Sequence, residues 1–191
     1  LVARAVNTLT FTARSIRGDN TDGIGFMRDV TVNYDREIAG ASVLVLGAGG
    51  ATRGLLGPLL AAKPTKLVLA NRTLERAEAL RTQFAAHGAI DVCSFADLAE
   101  RGAFDILVNA TSAGLHGEQP PFPPSLVTAR SFCYDLAYSV KTTPFAAWAS
   151  ACGAGRVVQG WGMLIEQAAE SFAIWRGVRP DTAPIRAQLV R

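Results

Sequence analysis

Short apolar runs alternate with longer stretches of helical spacing along most of the chain after residue 40. The run SVLVL at residues 42–46 is followed by a stretch whose leucines share one helix face. Apolar runs of this kind are typical of parallel strands that are covered on both faces. The predicted strands span residues 42–46, 66–70, 90–93, 104–108 and 131–134. The predicted helices span residues 51–62, 74–86, 144–152 and 163–176. The last helix is apolar almost all round, which predicts that it is buried. The pattern predicts an α/β fold with a Rossmann-like, doubly wound parallel sheet.

The beginning of the chain has a different pattern. Residues 5–16 mix β-branched and apolar side chains and predict one or two short strands, bounded by the polar stretch 17–20. Residues 22–35 predict a helix that Asn20 or Thr21 can cap. We therefore expect the chain to divide near residue 40. The end after about residue 160 is expected to pack back on the first part.

Composition and charge narrow the classes of partner. The chain has 191 residues and a net charge of +3, from 19 basic and 16 acidic residues that are scattered along it. This distribution argues against a nucleic-acid-binding protein, and no apolar run is long enough to span a membrane. Three cysteines without a CxxC motif and only two histidines argue against a metal site. Free thiols favour a cytoplasmic location, and a small molecule is the expected partner.

A glycine-rich turn follows the first strand after residue 40. Residues 46–54 read LGAGGATRG, between a predicted strand and a predicted helix. A Rossmann fold holds a pyrophosphate at this position, because glycines allow close backbone approach and a helix N-terminus offers free N–H groups. Thr52 occupies the position of the third glycine of GxGxxG. The prediction of a phosphate site therefore depends on the position of the turn between a strand and a helix. A plain tight turn is the alternative. The residues predicted to hold the phosphates are Gly47, Ala48, Gly49, Gly50 and Ala51.

The end of the second predicted strand indicates which dinucleotide binds. An NAD enzyme usually has an acid there, whereas this chain has Asn71, Arg72 and Thr73. Arg72 and Arg76 are four residues apart where a helix starts, so both guanidinium groups can converge on one phosphate. The pair favours NADP. Two solvated arginines are the alternative.

Seven motifs follow one another along the chain. They are AVNTL (5–9), DNTDGIGF (19–26), LGAGGATRG (46–54), NRT (71–73), NATSAGL (109–115), YDLAY (134–138) and GWGMLIEQA (160–168). With these motifs in this order, essentially the whole chain closely resembles the shikimate dehydrogenases. The resemblance implies an NADP-dependent oxidoreductase that interconverts 3-dehydroshikimate and shikimate in aromatic amino-acid biosynthesis.

The resemblance also implies roles for individual residues. Asp22 matches the carboxylate of the family's catalytic Lys–Asp pair and a substrate contact. The other matched substrate contacts are Asn7, Tyr138 and Gln167. The family's binding site for the adenosine phosphate matches Asn71, Arg72, Thr73 and Arg76. The residues that line the nicotinamide in the family match Thr111, Ser112, Leu136, Gly160 and Met163. From the residues alone, Asp22 can instead be a helix cap, and the three neutral side chains can be structural polar groups.

The resemblance divides the chain into three parts. Residues 1–38 are expected to be the remainder of an α/β substrate-binding domain with a connecting helix. Residues 39–160 are expected to form the NADP-binding Rossmann domain, and helices in residues 161–191 are expected to pack back toward the substrate domain. The family's catalytic Lys, and a Ser pair that binds the substrate carboxylate, lie upstream of AVNTL. Since the chain opens at Leu1 without Met, we expect the C-terminal part of a longer protein, with NADP binding but no useful turnover if the upstream segment is absent.

Two other functions stay open at this point. One is a quinate/shikimate dehydrogenase that uses NAD, against which the missing strand-end acid and the two arginines argue. The other is a truncated, non-catalytic NADP-binding module, against which the retention of Asp22, Asn7 and Gln167 argues. A monomer and a homodimer are both compatible with the sequence.

Overall fold

A two-stranded antiparallel hairpin begins the fold. The computed structural model describes residues 4–111 and 122–189. Strand β1 (Thr8–Phe11) pairs with β2 (Ile16–Asp19). The sequence predicted one or two strands here and ended them at the polar stretch 17–20. That boundary is wrong, because these polar residues form the ladder of the second strand with β1.

Six parallel strands form the main sheet. They are β3 (Ser42–Leu46), β4 (Lys66–Asn71), β5 (Asp91–Ser94), β6 (Ile106–Asn109), β7 (Phe132–Asp135) and β8 (Arg156–Gln159). Their order is β5-β4-β3-β6-β7-β8, so the connection reverses direction between β3 and β6 and opens a crevice at the carboxyl ends of the strands. The predicted doubly wound α/β class is confirmed. Strand β8 was not predicted, since its sequence RVVQ has only two apolar residues between polar ones.

The central strand is buried on both faces, as its unbroken apolar run predicts. Val43, Leu44, Val45 and Leu46 are all inaccessible to solvent. The two valines belong to one apolar cluster and the two leucines to another. Because successive side chains point to opposite faces of a strand, the sheet has a core on each side.

Six α-helices occur in the described ranges. They are α1 (Asp22–Arg28), α2 (Gly50–Ala61), α3 (Leu74–Phe84), α4 (Pro144–Ala151), α5 (Trp161–Arg176) and α6 (Ala183–Leu189). None of them is long and apolar enough to cross a membrane. The sequence did not predict α6. It also predicted α5 as buried all round, whereas Phe172 and Trp175 are 43% and 55% exposed.

Helix α1 lies against both α2 and α5 through two glycines. A Cβ atom at Gly23 would lie 2.2 Å from the carbonyl oxygen of Gly54 in α2. A Cβ atom at Gly25 would lie 2.6 Å from the backbone nitrogen of Gln167 in α5. The backbones touch directly, so α1 is held between the helix after the glycine turn and the helix after the last strand.

Candidate active site

The glycine turn joins β3 to α2 at the carboxyl edge of the sheet. Gly47 has a φ of +102°, and a Cβ atom there would lie 2.9 Å from the carbonyl oxygen of Ala110, so only glycine fits. Thr52 is fully buried, and its hydroxyl donates to the carbonyl oxygen of Gly47 at 2.6 Å. At the position of the third glycine, Thr52 therefore ties the start of α2 to the turn.

Open space adjoins the next two glycines. Apart from the adjoining backbone, no described heavy atom lies within 4 Å of the position that a Cβ atom would take at Gly49 or Gly50. Gly49 is the N-cap residue of α2, and within the described residues no side chain caps this helix. The first N–H groups of α2 have no intrahelical partner, and the helix dipole favours an anion beside them. This edge of the turn fits the pyrophosphate of a dinucleotide.

Asn71 connects the turn with the end of β4. Its Oδ1 accepts a hydrogen bond from the N–H of Ala48 at 3.1 Å, and its Nδ2 donates to the carbonyl oxygen of Thr73 at 2.7 Å. Thr73 is the N-cap residue of α3, so Arg72 lies before the helix and Arg76 lies in its first turn. The helical i, i+4 argument therefore does not apply to this pair, a correction to the sequence-based prediction. Both side chains are exposed, and neither forms an ion pair with any described residue.

Asp22 and Asn7 form a second polar group. The Nδ2 of Asn7 donates to Oδ1 of Asp22 at 2.8 Å. The Oδ1 of Asn7 accepts from the backbone N–H of Thr21 at 3.0 Å and from its hydroxyl at 3.2 Å. Thr21, not Asp22, is the N-cap residue of α1, and the N–H of Asp22 donates to Oδ1 of Asn20 at 3.1 Å. The helix-cap alternative for Asp22 is therefore wrong, and one carboxylate oxygen carries no hydrogen bond from a described residue.

Gln167 reaches this group from α5. The Thr21 hydroxyl oxygen lies 3.2 Å from Oε1 of Gln167 and 3.1 Å from the hydroxyl of Ser171, and its single proton is shared between the amide oxygens of Asn7 and Gln167. The structure thus brings Asn7, Asp22 and Gln167 into one hydrogen-bonded network. Thr21 is fully buried and Ser171 is 7% exposed, so these hydroxyls bond to protein groups.

The sequence does not predict that the hydroxyls of Thr21 and Ser171 belong to this network. Sequence reasoning considered Thr21 only as a helix cap and did not consider Ser171. The available signal was spacing, since Ser171 follows Gln167 by four residues in α5 and shares its helix face. The hydroxyl of Ser171 donates to the carbonyl oxygen of Gln167 at 3.1 Å, which confirms that they are adjacent.

The helix that carries Asp22 also contacts the helix of the glycine turn. A Cβ atom at Gly54 in α2 would lie 2.8 Å from Oδ1 of Asn20 and 3.2 Å from Cβ of Asp22. The network of Asn7, Asp22 and Gln167 therefore lies next to the glycine turn.

A buried amide–carboxylate pair joins the ends of β6 and β7. The Nδ2 of Asn109 donates to Oδ1 of Asp135 at 2.9 Å, while its Oδ1 accepts from the hydroxyl of Thr111 at 2.7 Å. Burial raises the pKa of Asp135, although hydrogen bonds, the strongest from Thr143, act to lower it. The pair holds Thr111 beside the glycine turn, where a Cβ atom at Gly47 would lie 3.1 Å from its backbone nitrogen.

Three other residues predicted near the nicotinamide lie after β7 and β8. A Cβ atom at Gly160 would lie 2.3 Å from the carbonyl oxygen of Leu136, and the N–H of Gly160 donates to the carbonyl oxygen of Ala137 at 3.1 Å. Met163 lies in the first turn of α5 and is 8% exposed. The fourth, Ser112, lies outside the described residues.

Among the described residues, no hydrogen bond joins Tyr138 to the network of Asn7, Asp22 and Gln167. It is 46% exposed, and its ring centroid lies 4.7 Å from that of Trp161. The indole nitrogen of Trp161 donates to the carbonyl oxygen of Ser139 at 3.4 Å. Tyr138 therefore packs on the Trp161 ring, three residues after the carboxyl end of β7.

Two protein-family models match the chain. Residues 31–116 match "Shikimate / quinate 5-dehydrogenase", and residues 160–190 match "Shikimate 5'-dehydrogenase C-terminal domain". The two matches include the glycine turn and the first turn of α5.

Curated and solved relatives match nearly the whole chain. The shikimate dehydrogenase (NADP(+)) of Aromatoleum aromaticum is 53% identical over 192 residues, which cover 99% of this chain and 68% of that protein. The Ael1 enzyme from Pseudomonas putida is 45% identical, with a TM-score of 0.92 over 100% of this chain and 69% of that one. Shikimate 5-dehydrogenase from Thermus thermophilus, solved with NADP(H) and shikimate, is 32% identical, with a TM-score of 0.82 over 97% of this chain and 67% of that one. Identity of this degree over this length shows that the chain belongs to the shikimate dehydrogenase family.

Proposed function

We propose that this protein is an NADP-dependent shikimate dehydrogenase, which reversibly reduces 3-dehydroshikimate to shikimate. The observation that carries the proposal is the hydrogen-bonded network of Asn7, Asp22 and Gln167 beside the glycine turn. One side of the site can hold a dinucleotide and the other can hold a polyhydroxylated ring.

The residues of the carboxyl edge suit NADP. The first N–H groups of α2 and the open side of Gly49 and Gly50 would hold the pyrophosphate. The exposed guanidinium groups of Arg72 and Arg76 would bind the 2′-phosphate. When bound, NADPH supplies a hydride for the carbonyl group.

Asp22 is the group that we assign to proton handling. Reduction of a carbonyl leaves an alkoxide, which needs a proton donor beside it. In the family a lysine ammonium donates this proton and a carboxylate holds the ammonium. Asn7 fixes one oxygen of Asp22, which leaves the other oxygen available for such a partner or for a substrate hydroxyl.

The remaining assignments rest on the same proposal. Asn7, Gln167 and Tyr138 bind the hydroxyl groups of the substrate, and Thr111, Leu136, Gly160 and Met163 line the nicotinamide, with Ser112 assigned from sequence alone. The substrate-binding part comprises residues 1–38, and the NADP-binding domain comprises residues 39–160. The helices in residues 161–191 pack back toward the substrate-binding part. We further infer that the protein is cytoplasmic and that it is a monomer or a homodimer. Sedimentation analysis distinguishes these two oligomeric states.

Ligand titration of the 191-residue polypeptide tests the proposal. NADPH should bind more tightly than NADH by nicotinamide fluorescence, and shikimate should bind the NADP⁺ complex in a calorimeter. Asp22→Asn should weaken shikimate binding by about tenfold or more, since it removes a charged hydrogen-bond acceptor, and leave NADPH binding within about twofold. Asp35→Asn is the matched control, because Asp35 is exposed and has a φ of 49° that Asn also adopts. Absence of NADPH binding would contradict the proposal, as would shikimate binding that Asp22→Asn leaves unchanged.

Turnover tests the role of the upstream lysine separately. A polypeptide of only these 191 residues, verified at 20.2 kDa, should show no useful rise in the absorbance of reduced nicotinamide with shikimate and NADP⁺. Normal turnover would establish the reaction and show that another group donates the proton.

A further inference from the structure

A buried acid lies where α1 changes its helical geometry. Asp29 is inaccessible to solvent and begins a π-helical turn, Asp29–Asn33, in which the N–H of Tyr34 donates to the carbonyl oxygen of Asp29 at 3.0 Å. Single π turns within helices often occur at functional sites. The carboxylate accepts hydrogen bonds from Asn33 Nδ2 at 2.9 Å and from the Tyr134 hydroxyl at 2.6 Å. Burial raises the pKa of Asp29, while these hydrogen bonds and Arg186 act to lower it.

The tyrosine hydroxyl links this acid to the first turn of α5. Tyr134 is fully buried in β7, and its oxygen accepts a hydrogen bond from the N–H of Met163 at 3.2 Å. A phenol has one proton, so this hydroxyl donates to Asp29 and accepts from Met163. The N–H of Met163 is one of the groups at a helix start that lack an intrahelical partner. Tyr134 therefore caps α5 from the sheet.

The acid also touches the backbone of the same turn. A Cβ atom at Gly162 would lie 2.1 Å from Oδ1 of Asp29 and 2.2 Å from Oδ2. No side chain fits between the carboxylate and the helix start, which accounts for glycine at this position. A carboxylate is favourable there, because the positive end of the helix dipole lies beside it.

These contacts join three elements that the proposed function uses. Helix α1 carries Asp22, β7 ends beside Leu136, and the first turn of α5 carries Met163. In a sheet of this order one half of a dinucleotide lies over the strands on each side of the crevice. Since Arg72 and Arg76 follow β4, the nicotinamide half belongs over β6, β7 and β8.

We propose that Asp29 and Tyr134 are positioning residues that hold the turn Gly160–Met163 against the nicotinamide at a set distance from Asp22. The inference rests on the proposed function and adds residues that touch neither ligand. It gives a role to a buried carboxylate that lies between two helices, where an apolar pair would avoid the cost of desolvation.

Binding of NADPH and of 2′,5′-ADP, which has the 2′-phosphate but no nicotinamide, separates positioning from general stability. Tyr134→Phe removes both hydrogen bonds of the hydroxyl and should weaken NADPH binding by about tenfold, while 2′,5′-ADP binding should stay within about twofold. Asp29→Asn should act in the same direction. Tyr34→Phe is the matched control, because Tyr34 lies in the same region with its ring 5.6 Å from that of Phe132 and shares no hydrogen bond with Met163 among the described residues.

The outcomes distinguish this inference from the proposed function. If the unaltered chain binds neither nucleotide, the proposed function fails. If it binds both and the folded variants keep the unaltered ratio of the two affinities, the positioning role is overturned. Should both variants unfold, hydrogen exchange of the unaltered chain decides: NADPH, and not 2′,5′-ADP, must slow exchange at residues 160–165, and equal slowing overturns the inference.

Discussion

At the level of single residues, Asn7 and Asp22 show how a neutral side chain orients a charged one. The amide of Asn7 donates to the carboxylate with its nitrogen and accepts from Thr21 with its oxygen, so both of its ends are fixed. A side chain held in this way fixes the orientation of the acid. Arg72 and Arg76 are different, because no described carboxylate pairs with them.

The two arginines yield a prediction about cofactor choice. Replacing both by Ala should weaken NADPH binding by about tenfold or more while NADH binding changes little, since each charged hydrogen bond to the 2′-phosphate contributes roughly 1.5–3 kcal/mol. Fluorescence titration with both nucleotides measures this difference. Arg81→Ala is the control, because Arg81 lies at the far end of α3. Equal losses for NADPH and NADH would disprove the assignment.

At the level of elements, glycine contacts determine how the helices meet. Helix α1 touches α2 at Gly23 and α5 at Gly25, with no room for a β-carbon at either point. These contacts bring Asp22 to the edge of the glycine turn and Gln167 to Thr21. The glycines lower the helix propensity of α1, so packing between helices and not local preference stabilises it.

Two glycine substitutions should separate packing from binding. Gly25→Ala should destabilise the fold by about 1–3 kcal/mol, the usual cost of overpacking, because its Cβ would lie 2.6 Å from the backbone of Gln167. Gly50→Ala should leave the unfolding midpoint unchanged or raise it, since the space there is open, and should weaken NADPH binding. Urea unfolding and fluorescence titration measure the two effects. A loss of stability for Gly50→Ala with unchanged NADPH binding would refute the placement of the pyrophosphate.

At the level of the whole molecule, Glu166 ties the C-terminal segment to the first helix. Its side chain is 1% exposed and pairs with Arg28 of α1 and with Arg179. Thr182, just before α6, donates to Oε1 at 2.7 Å. Burial alone would raise the pKa of Glu166, yet hydrogen bonds from Asn33, Thr182 and the two arginines together lower it.

The lowered pKa predicts how stability depends on pH. The ionised form is favoured in the folded state, so its contribution is present above the unfolded pKa near 4.5 and is lost as pH falls through the lower folded pKa. Glu166→Gln should cost about 3 kcal/mol at pH 7, and the difference from the unaltered chain should shrink below roughly pH 4. Urea unfolding at several pH values measures this trend. Glu78→Gln is the control, since Glu78 is 47% exposed and pairs with Arg81 at 3.8 Å; an equal deficit at all pH values would contradict the prediction.

The sequence predicts most of the main sheet because its signals are local. Short, mainly apolar runs marked five strands to within a few residues, and the glycine turn was placed correctly between β3 and α2. Strand β8 and helix α6 escaped prediction because their apolar content is low and their partners lie elsewhere in the chain. The family motifs named Asn7, Asp22 and Gln167 without indicating how they are connected.

By itself the sequence determined the fold class, the glycine turn and the family, since each depends on neighbouring residues or on motifs read in order. Only the tertiary structure decided which polar groups meet. Thr8 and Ser171 lie 2.7 Å apart although 163 positions separate them, and Asp29 reaches Tyr134 across 105 positions. Contacts over such distances arise when helices pack on a sheet and bury groups that must find a partner away from water. No local pattern encodes that choice of partner.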